Sequence, residues 1–250
     1  MDVAETLNLA ENLFEQAALA NAYWSMIKQY HQNVNDYNDE MNCSPAFYRV
    51  IYSALVNALF MCLSKIYDDN SSSLTIRNLL TEFSKMQVED LPIEEQQWYA
   101  KNGAFERILK SSDEVFFKSA VEMQKNICAM LKGRYIPPNV SLSLEEYKEL
   151  YIKKFSGLNP KIKNLREQRN KIYAHNDKTL NFNSFEFTKK YPTNDEMIES
   201  LLEFALDLSG VCIALISGVS KDPNYINIKD WTTTLERVRD GKEYIRKQLI

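Results

Sequence analysis

The sequence predicts an all-α protein: a single-domain, irregular up-and-down bundle of about seven or eight helices spanning residues 1–250. Three observations predict it. Apolar residues step by threes and fours over most of the chain, as at Val3, Leu7, Ala10, Phe14, Ala17, Ala20 and Trp24, which is the period of an amphipathic helix. Six glycines and seven prolines in 250 residues leave little material for the turns and bulges that strands require. Signals for helix starts also recur along the chain, as detailed below.

The first helix is expected from about Ala4 to Gln32, with His31 following Trp24 and Ile27 on nearly the same face and packing at the helix end. Ser44-Pro45 sets a capping residue before a proline at the first helical position, so a second helix should run to about Tyr67. It is apolar almost all round, which places it at the centre of the bundle. After the polar loop Asp68 to Ser73, a short helix is expected over Leu74 to Phe83. Capping boxes at Ser111-x-x-Glu114, Ser143-x-x-Glu146 and Thr193-x-x-Glu196 start helices near 112, 144 and 194. Another begins at Pro160 with Asn159 as cap, and a last one closes the chain from about Lys229. Asn181 to Lys190 is aromatic and weakly alternating, and reads as a loop that is partly extended.

Several function classes are excluded or weakened by composition. The longest uncharged run, Val50 to Ser64, is too short to span a bilayer, and Leu201 to Val219 is interrupted by Glu203 and Asp207. No membrane partner is expected, and the acidic N-terminus is unlike a secretory signal, so the expected location is cytoplasmic. Cys43, Cys62, Cys128 and Cys212 are widely separated, which gives no zinc-ribbon or redox pair and suits reduced thiols. No P-loop, dinucleotide, serine-hydrolase or zincin motif is present, and neither a metal nor a cofactor is expected. Asp68-Asp69 reads as a solvated turn at a helix end rather than a metal site.

The net charge of −4 is unevenly distributed: residues 1–40 carry −6, whereas residues 153–178 carry +6. A local basic site on an acidic protein and a solvated basic helix face are both compatible with this pattern. Within the basic stretch, Ile162, Leu165, position 169 and Ile172 form an apolar stripe that Arg169 interrupts. A charge on a core-facing stripe costs several kcal/mol unless it is paired or lies at a cleft. His175, one of two histidines, stands six residues beyond Arg169. An unbroken helix would leave the pair about 120° apart and about 9 Å along the axis. Either the helix unwinds near Ala174, or the two residues meet partners from elsewhere.

Arg169-Asn170, followed by Lys-Ile-Tyr-Ala and His175, resembles the signature of the HEPN superfamily: an Arg and a His four to six residues apart, the first intervening residue usually polar. The wider stretch LREQRNKIYAHND, the long first helix and the turn YDDNSSSLTIRNLL are similar to the abortive-infection AbiU-type branch. The resemblance implies a helical fold, a two-fold homodimer with the motif lining a cleft, and metal-independent RNA cleavage directed against phage. By position it implies Arg169 and His175 as catalytic residues with Asn170 as the motif's polar residue. Arg166, Lys171, Tyr173 and Asp177 are neighbouring candidates for RNA or phosphate binding, although Tyr173 also suits packing. An antitoxin-like regulator would restrain such a nuclease. Noncatalytic nucleotide-binding or protein-interaction modules share the superfamily, and a structural role, Arg169 paired with a buried acid, is a third reading.

Chemistry supports the implied activity. Cleavage without metal requires a base for the 2′-hydroxyl, an acid for the leaving oxygen and a cation for the phosphorane. A histidine suits the proton steps and an arginine fork suits the phosphate oxygens. One His per chain is short of the two proton carriers needed, and a symmetric dimer supplies the second.

Overall fold

The computed structural model describes residues 2–70, 73–91, 144–169, 194–217, 219, 221–223 and 230–248. Among them are eight α-helices, a 3-10 turn at Val88–Asp90 and no strand, so the chain is all-α as expected. The helices are α1 (Val3–Asn33), α2 (Asn38–Met41), α3 (Pro45–Ile66), α4 (Ile76–Lys85), α5 (Leu144–Gly157), α6 (Asn159–Gln168), α7 (Asp195–Ser217) and α8 (Asp230–Gln248). The expected helix near 112 and the aromatic stretch 181–190 lie outside the described residues.

Local chemistry explains the boundaries. Asp2 and Glu5 close a reciprocal capping box, with Glu5 N–H donating to Asp2 Oδ1 at 2.7 Å and Asp2 N–H to Glu5 Oε2 at 3.0 Å. Thr75 Oγ1 accepts from Asn78 N–H at 3.3 Å, so α4 starts two residues later than expected. For α7 the cap is Asn194, whose Oδ1 accepts from Met197 N–H at 2.9 Å, one residue after the Thr193 of the expected box. At α6 the cap position is Leu158, and Asn159 and Pro160 form the first turn. A proline there needs no amide partner, so the helix starts without a side-chain cap.

The core is built around α1, which packs along both α3 and α7, while α4 closes against α1, α5 and α7. Leu9, Leu13, Phe14, Trp24 and Ile27 of α1 are buried, and the small Ala10, Ala17 and Ala20 between them fit the close approach of its neighbours. Most of α7 is buried, including Leu201, Ala205, Leu208, Cys212 and Leu215. Burial pushes the Cys212 thiol well up from its ordinary value. Tyr151 of α5 meets the rings of Phe83 and Phe204 edge-on at 5.9 and 6.0 Å. His31 is exposed rather than buried, yet it packs at the end of α1, its Nε2 lying 2.8 Å from the Tyr52 hydroxyl of α3.

One expectation is overturned. Helix α3 is not the centre of the bundle: Leu59, Phe60, Leu63 and Ile66 enter the core, but Phe47, Val50, Ile51 and Met61 are exposed. Both α3 and α7 are long and apolar enough to cross a membrane by length and composition, because the helix Pro45–Ile66 is longer than its uncharged run. In α7 that apolar surface faces the protein interior, with 67% of its most apolar window buried, against 17% in α3. Being apolar almost all round therefore placed α3 wrongly; among the described residues α1 and its neighbours cover only one side of α3.

Helix α8 sits apart from the main core. Its one fully buried side chain among the described residues is Leu235. It lies against α2, where Arg239 Nε donates to the buried Glu40 Oε1 at 3.0 Å, Arg239 Nη2 reaches the Asp36 carbonyl, and the guanidinium stacks 4.4 Å above the Tyr37 ring. The Arg239 hydrogen bond holds the Glu40 carboxyl below its ordinary pKa. Lys242 Nζ adds a bond to the Asp39 carbonyl at 2.7 Å.

Candidate functional site

Helix α6 carries the first half of the motif. Ile162 and Leu165 are buried as expected, but the next core position is filled by Gln168, and Arg169 is half-buried beside it. A step of three from Leu165 to Gln168 replaces the expected step of four to position 169. Gln168 is a neutral polar residue, so the stripe reaches the core without burying a full charge. Arg169 keeps helical φ and ψ of −54° and −53°, and a π-type turn occurs there. Departures from regular α geometry of this kind are frequent at functional sites.

Arg166, one turn earlier, is fully engaged on one side. Its Nη2 donates to the Tyr67 carbonyl at 2.9 Å, and its Nη1 pairs with Asp69 Oδ2. Asp69 Oδ1 simultaneously receives Arg77 Nη2 from α4 at 3.2 Å. The turn after α3 is fixed in turn by the Tyr67 hydroxyl, which donates to the Leu201 carbonyl of α7 at 2.6 Å. Burial, then the nearby Asp207 carboxylate, raise that phenol well above its ordinary pKa, so it remains a hydrogen-bond donor. Arg166 Nε lies buried with no hydrogen-bond partner among the described residues. Lys161, at the other end of α6, is tied to α7 through Glu196 at 3.1 Å and Ser200 Oγ at 2.7 Å.

The magnitudes say what these contacts do. Asp69 and Arg77 are each about half exposed, and such ion pairs contribute roughly 0–1 kcal/mol. The part-buried bond from Arg166 to the Tyr67 carbonyl has a charged donor, worth about 1.5–3 kcal/mol. The node therefore sets the direction of α6 more than it sets global stability.

Of the sequence-derived candidates, the structure places Arg166 and Arg169 on consecutive turns of one helix end. Asn170, Lys171, Tyr173, His175 and Asp177 lie outside the described residues. Sequence reasoning missed Asp69 as a partner of the motif helix. Its signal was the acidic pair in the YDDN turn, which was read as solvent-facing. No group of three or more His, Cys, Asp or Glu side chains suited to a metal ion occurs among the described residues. Among the described residues, one hollow of about 400 Å³ is lined by Phe14, Glu15, Ala18, Lys221 and Asp222, and another of about 240 Å³ opens between Trp24, Lys28 and Glu203. Neither borders Arg166 or Arg169.

Comparison with known proteins gives one assignment. A family model for HEPN AbiU2 matches residues 4–132 and 134–234, nearly the whole chain. No curated protein and no solved structure matches it. With an all-helical fold, an arginine at the π turn of its motif helix and this match, the chain belongs to the AbiU2 family of HEPN proteins, a family of abortive infection.

Proposed function

We propose that this protein is a metal-independent endoribonuclease of a bacterial phage-defence or toxin-antitoxin-type system, acting as a homodimer. The observation that carries the reading is Arg169, a half-buried cation at the point where α6 leaves regular α geometry, at the head of the Arg–His motif. In the proposed reaction His175 of one subunit removes the proton of a ribose 2′-hydroxyl. The freed oxygen attacks the adjacent phosphorus, and a second histidine, from the other subunit, protonates the 5′-oxygen as it leaves. Arg169 carries the charge that develops on the phosphorane, and Asn170 orients the phosphate. The planar guanidinium fork matches two phosphoryl oxygens. DNA lacks the attacking hydroxyl, so RNA is the substrate class. An antitoxin-like partner would hold the nuclease in check in the uninfected cell.

The exposed apolar side of α3 supports the dimer. Phe47, Val50, Ala54 and Met61 recur at seven- and three- or four-residue steps along it, and Phe47, Val50 and Met61 are all more than a third exposed. In an antiparallel pair centred on Ala54, Phe47 would face the other copy's residue 61 and Val50 its residue 58, so the pattern is self-complementary.

The test is cleavage of end-labelled cellular RNA in excess EDTA by the wild type and by His175→Ala. Cleavage by the wild type alone, reduced by at least about 10²-fold in the variant, is the expected result. Equal cleavage by both would remove His175 from the mechanism; binding without turnover by a folded dimer would favour a noncatalytic RNA-binding role.

A further inference from the structure

The side chain that orients the motif helix comes from the turn after α3. Arg166 precedes Arg169 by three residues, which on a helix is about 4.5 Å along the axis and about 60° short of a full turn. Any rotation of α6 about its axis therefore carries both arginines together. Arg166 is held at two points, the Tyr67 carbonyl and the Asp69 carboxylate, and both belong to one short turn. That turn has anchors of its own apart from α6: the Tyr67 hydroxyl is bonded to the α7 backbone, and Asp69 is also paired with Arg77 of α4. Three helices thus fix the frame against which α6 is set. Arg166 has a carbonyl and a carboxylate on its two terminal nitrogens, and its Nε is buried away from solvent, so both terminal nitrogens are engaged within the protein.

From this geometry we infer that Asp69 and Arg166 form a positioning pair for Arg169: Asp69 holds Arg166, and Arg166 holds the end of α6 so that Arg169 meets the scissile phosphate. This deepens the proposed nuclease reading and rests on it. It moves Arg166 from phosphate ligand to positioning residue and gives Asp69 a role in turnover without contact with RNA. The alternative role for an acid on a motif arginine is a counter-ion that RNA displaces, and the two make opposite predictions. A positioning pair, when broken, misplaces the transition-state cation and lowers kcat. A displaced counter-ion, when removed, unmasks positive charge and lowers KM.

The test uses the full chain with Asp69→Ala, Arg166→Lys and the double variant, on an end-labelled RNA oligonucleotide. Asp69→Ala should lower kcat about 10- to 100-fold with KM changed less than about twofold, as a misplaced catalytic group does. Lysine cannot reproduce the two-point fork, so Arg166→Lys should lower kcat at least as far as Asp69→Ala does. Because Asp69 acts only through Arg166, adding Asp69→Ala to Arg166→Lys should cost nothing beyond Arg166→Lys alone. Hydrogen exchange of the α6 amides, read in parallel, should quicken about tenfold in Asp69→Ala without loss of the global fold. Unchanged kcat, or a fall in KM alone, overturns the pair. If the wild type cleaves no RNA, the nuclease reading fails by itself, and the exchange of α6 still decides the pair: unchanged exchange in Asp69→Ala overturns it.

Discussion

Asp207 is a carboxyl that the fold keeps protonated well above the ordinary range. It lies half-buried on α7, and its Oδ1 is buried without a hydrogen-bond partner among the described residues. Burial raises its pKa from 3.8 to about 7, Glu203 adds to the rise, and Lys154 opposes it. The folded state therefore holds a proton that the unfolded chain releases between pH 4 and pH 7. Its contribution to stability is full below pH 4, is lost as the pH rises to about 7, and is flat above that. At about 1.4 kcal/mol per pKa unit the ceiling on this loss is about 4 kcal/mol. Asp207→Asn, which cannot ionise, should stabilise the protein by about 1–4 kcal/mol at pH 8 and by far less at pH 4. Urea midpoints of the two proteins at those pH values provide the measurement, and an equal difference at both would sink the argument. Nothing in the sequence gave this away: Asp207 was visible only as a charge inside an apolar run. Arg169 stood out in the sequence as a break in the expected stripe, yet the structure runs that stripe through Gln168, and the contacts of Arg166 depend on Asp69, ninety-seven positions away and linked to it only in three dimensions.

At the scale of the element, periodicity and caps gave helix existence reliably and helix surroundings less so. Both ends of α1 and α3 and the starts of α5, α7 and α8 fall within a residue or two of the expected positions. That agreement follows from chemistry contained in four or five consecutive residues. What covers a helix is not local. An apolar surface of α3 and one of α7 read alike, yet α7 turns its surface inward and α3 leaves half of its own outside. If that half receives a second copy, Val50→Glu should convert the protein to a monomer and weaken association by at least about 100-fold, the cost of an unpaired carboxylate in an apolar interface. Sedimentation equilibrium without detergent measures it. A variant that remains as dimeric as the wild type would place the interface elsewhere, and a wild-type protein that is itself monomeric would remove the dimer from the mechanism.

For the whole molecule, the helical class was evident from composition and period, and the family from one motif and two flanking stretches. The arrangement of the helices was not: pairing of α1 with α3 and α7 is decided by which side chains interlock, not by any signal along one strand of sequence. The molecule is also uneven in what holds it together. The main core draws on α1, α3, α4, α5, α6 and α7, while Leu235 of α8 and Met41 of α2 are buried outside it. Added sodium chloride does not weaken apolar burial, but the contacts of Arg239 and Lys242 with the α2 region are largely charged and are screened by it. The C-terminal helix should therefore be the first piece to open, and added salt should hasten it. At about 1 M sodium chloride, trypsin should cut at Arg237, Arg239 or Lys242 several-fold faster than at low salt while Lys28 of α1 and Lys65 of α3 resist. Unchanged cleavage would mean that Leu235 and the Trp231 bond to Gln29 of α1 secure the helix without the charged contacts. The same separation gives the chain two layers of cohesion. An ionic latch at its C-terminal end could be undone and remade many times while the scaffold that aims the motif arginine never comes apart.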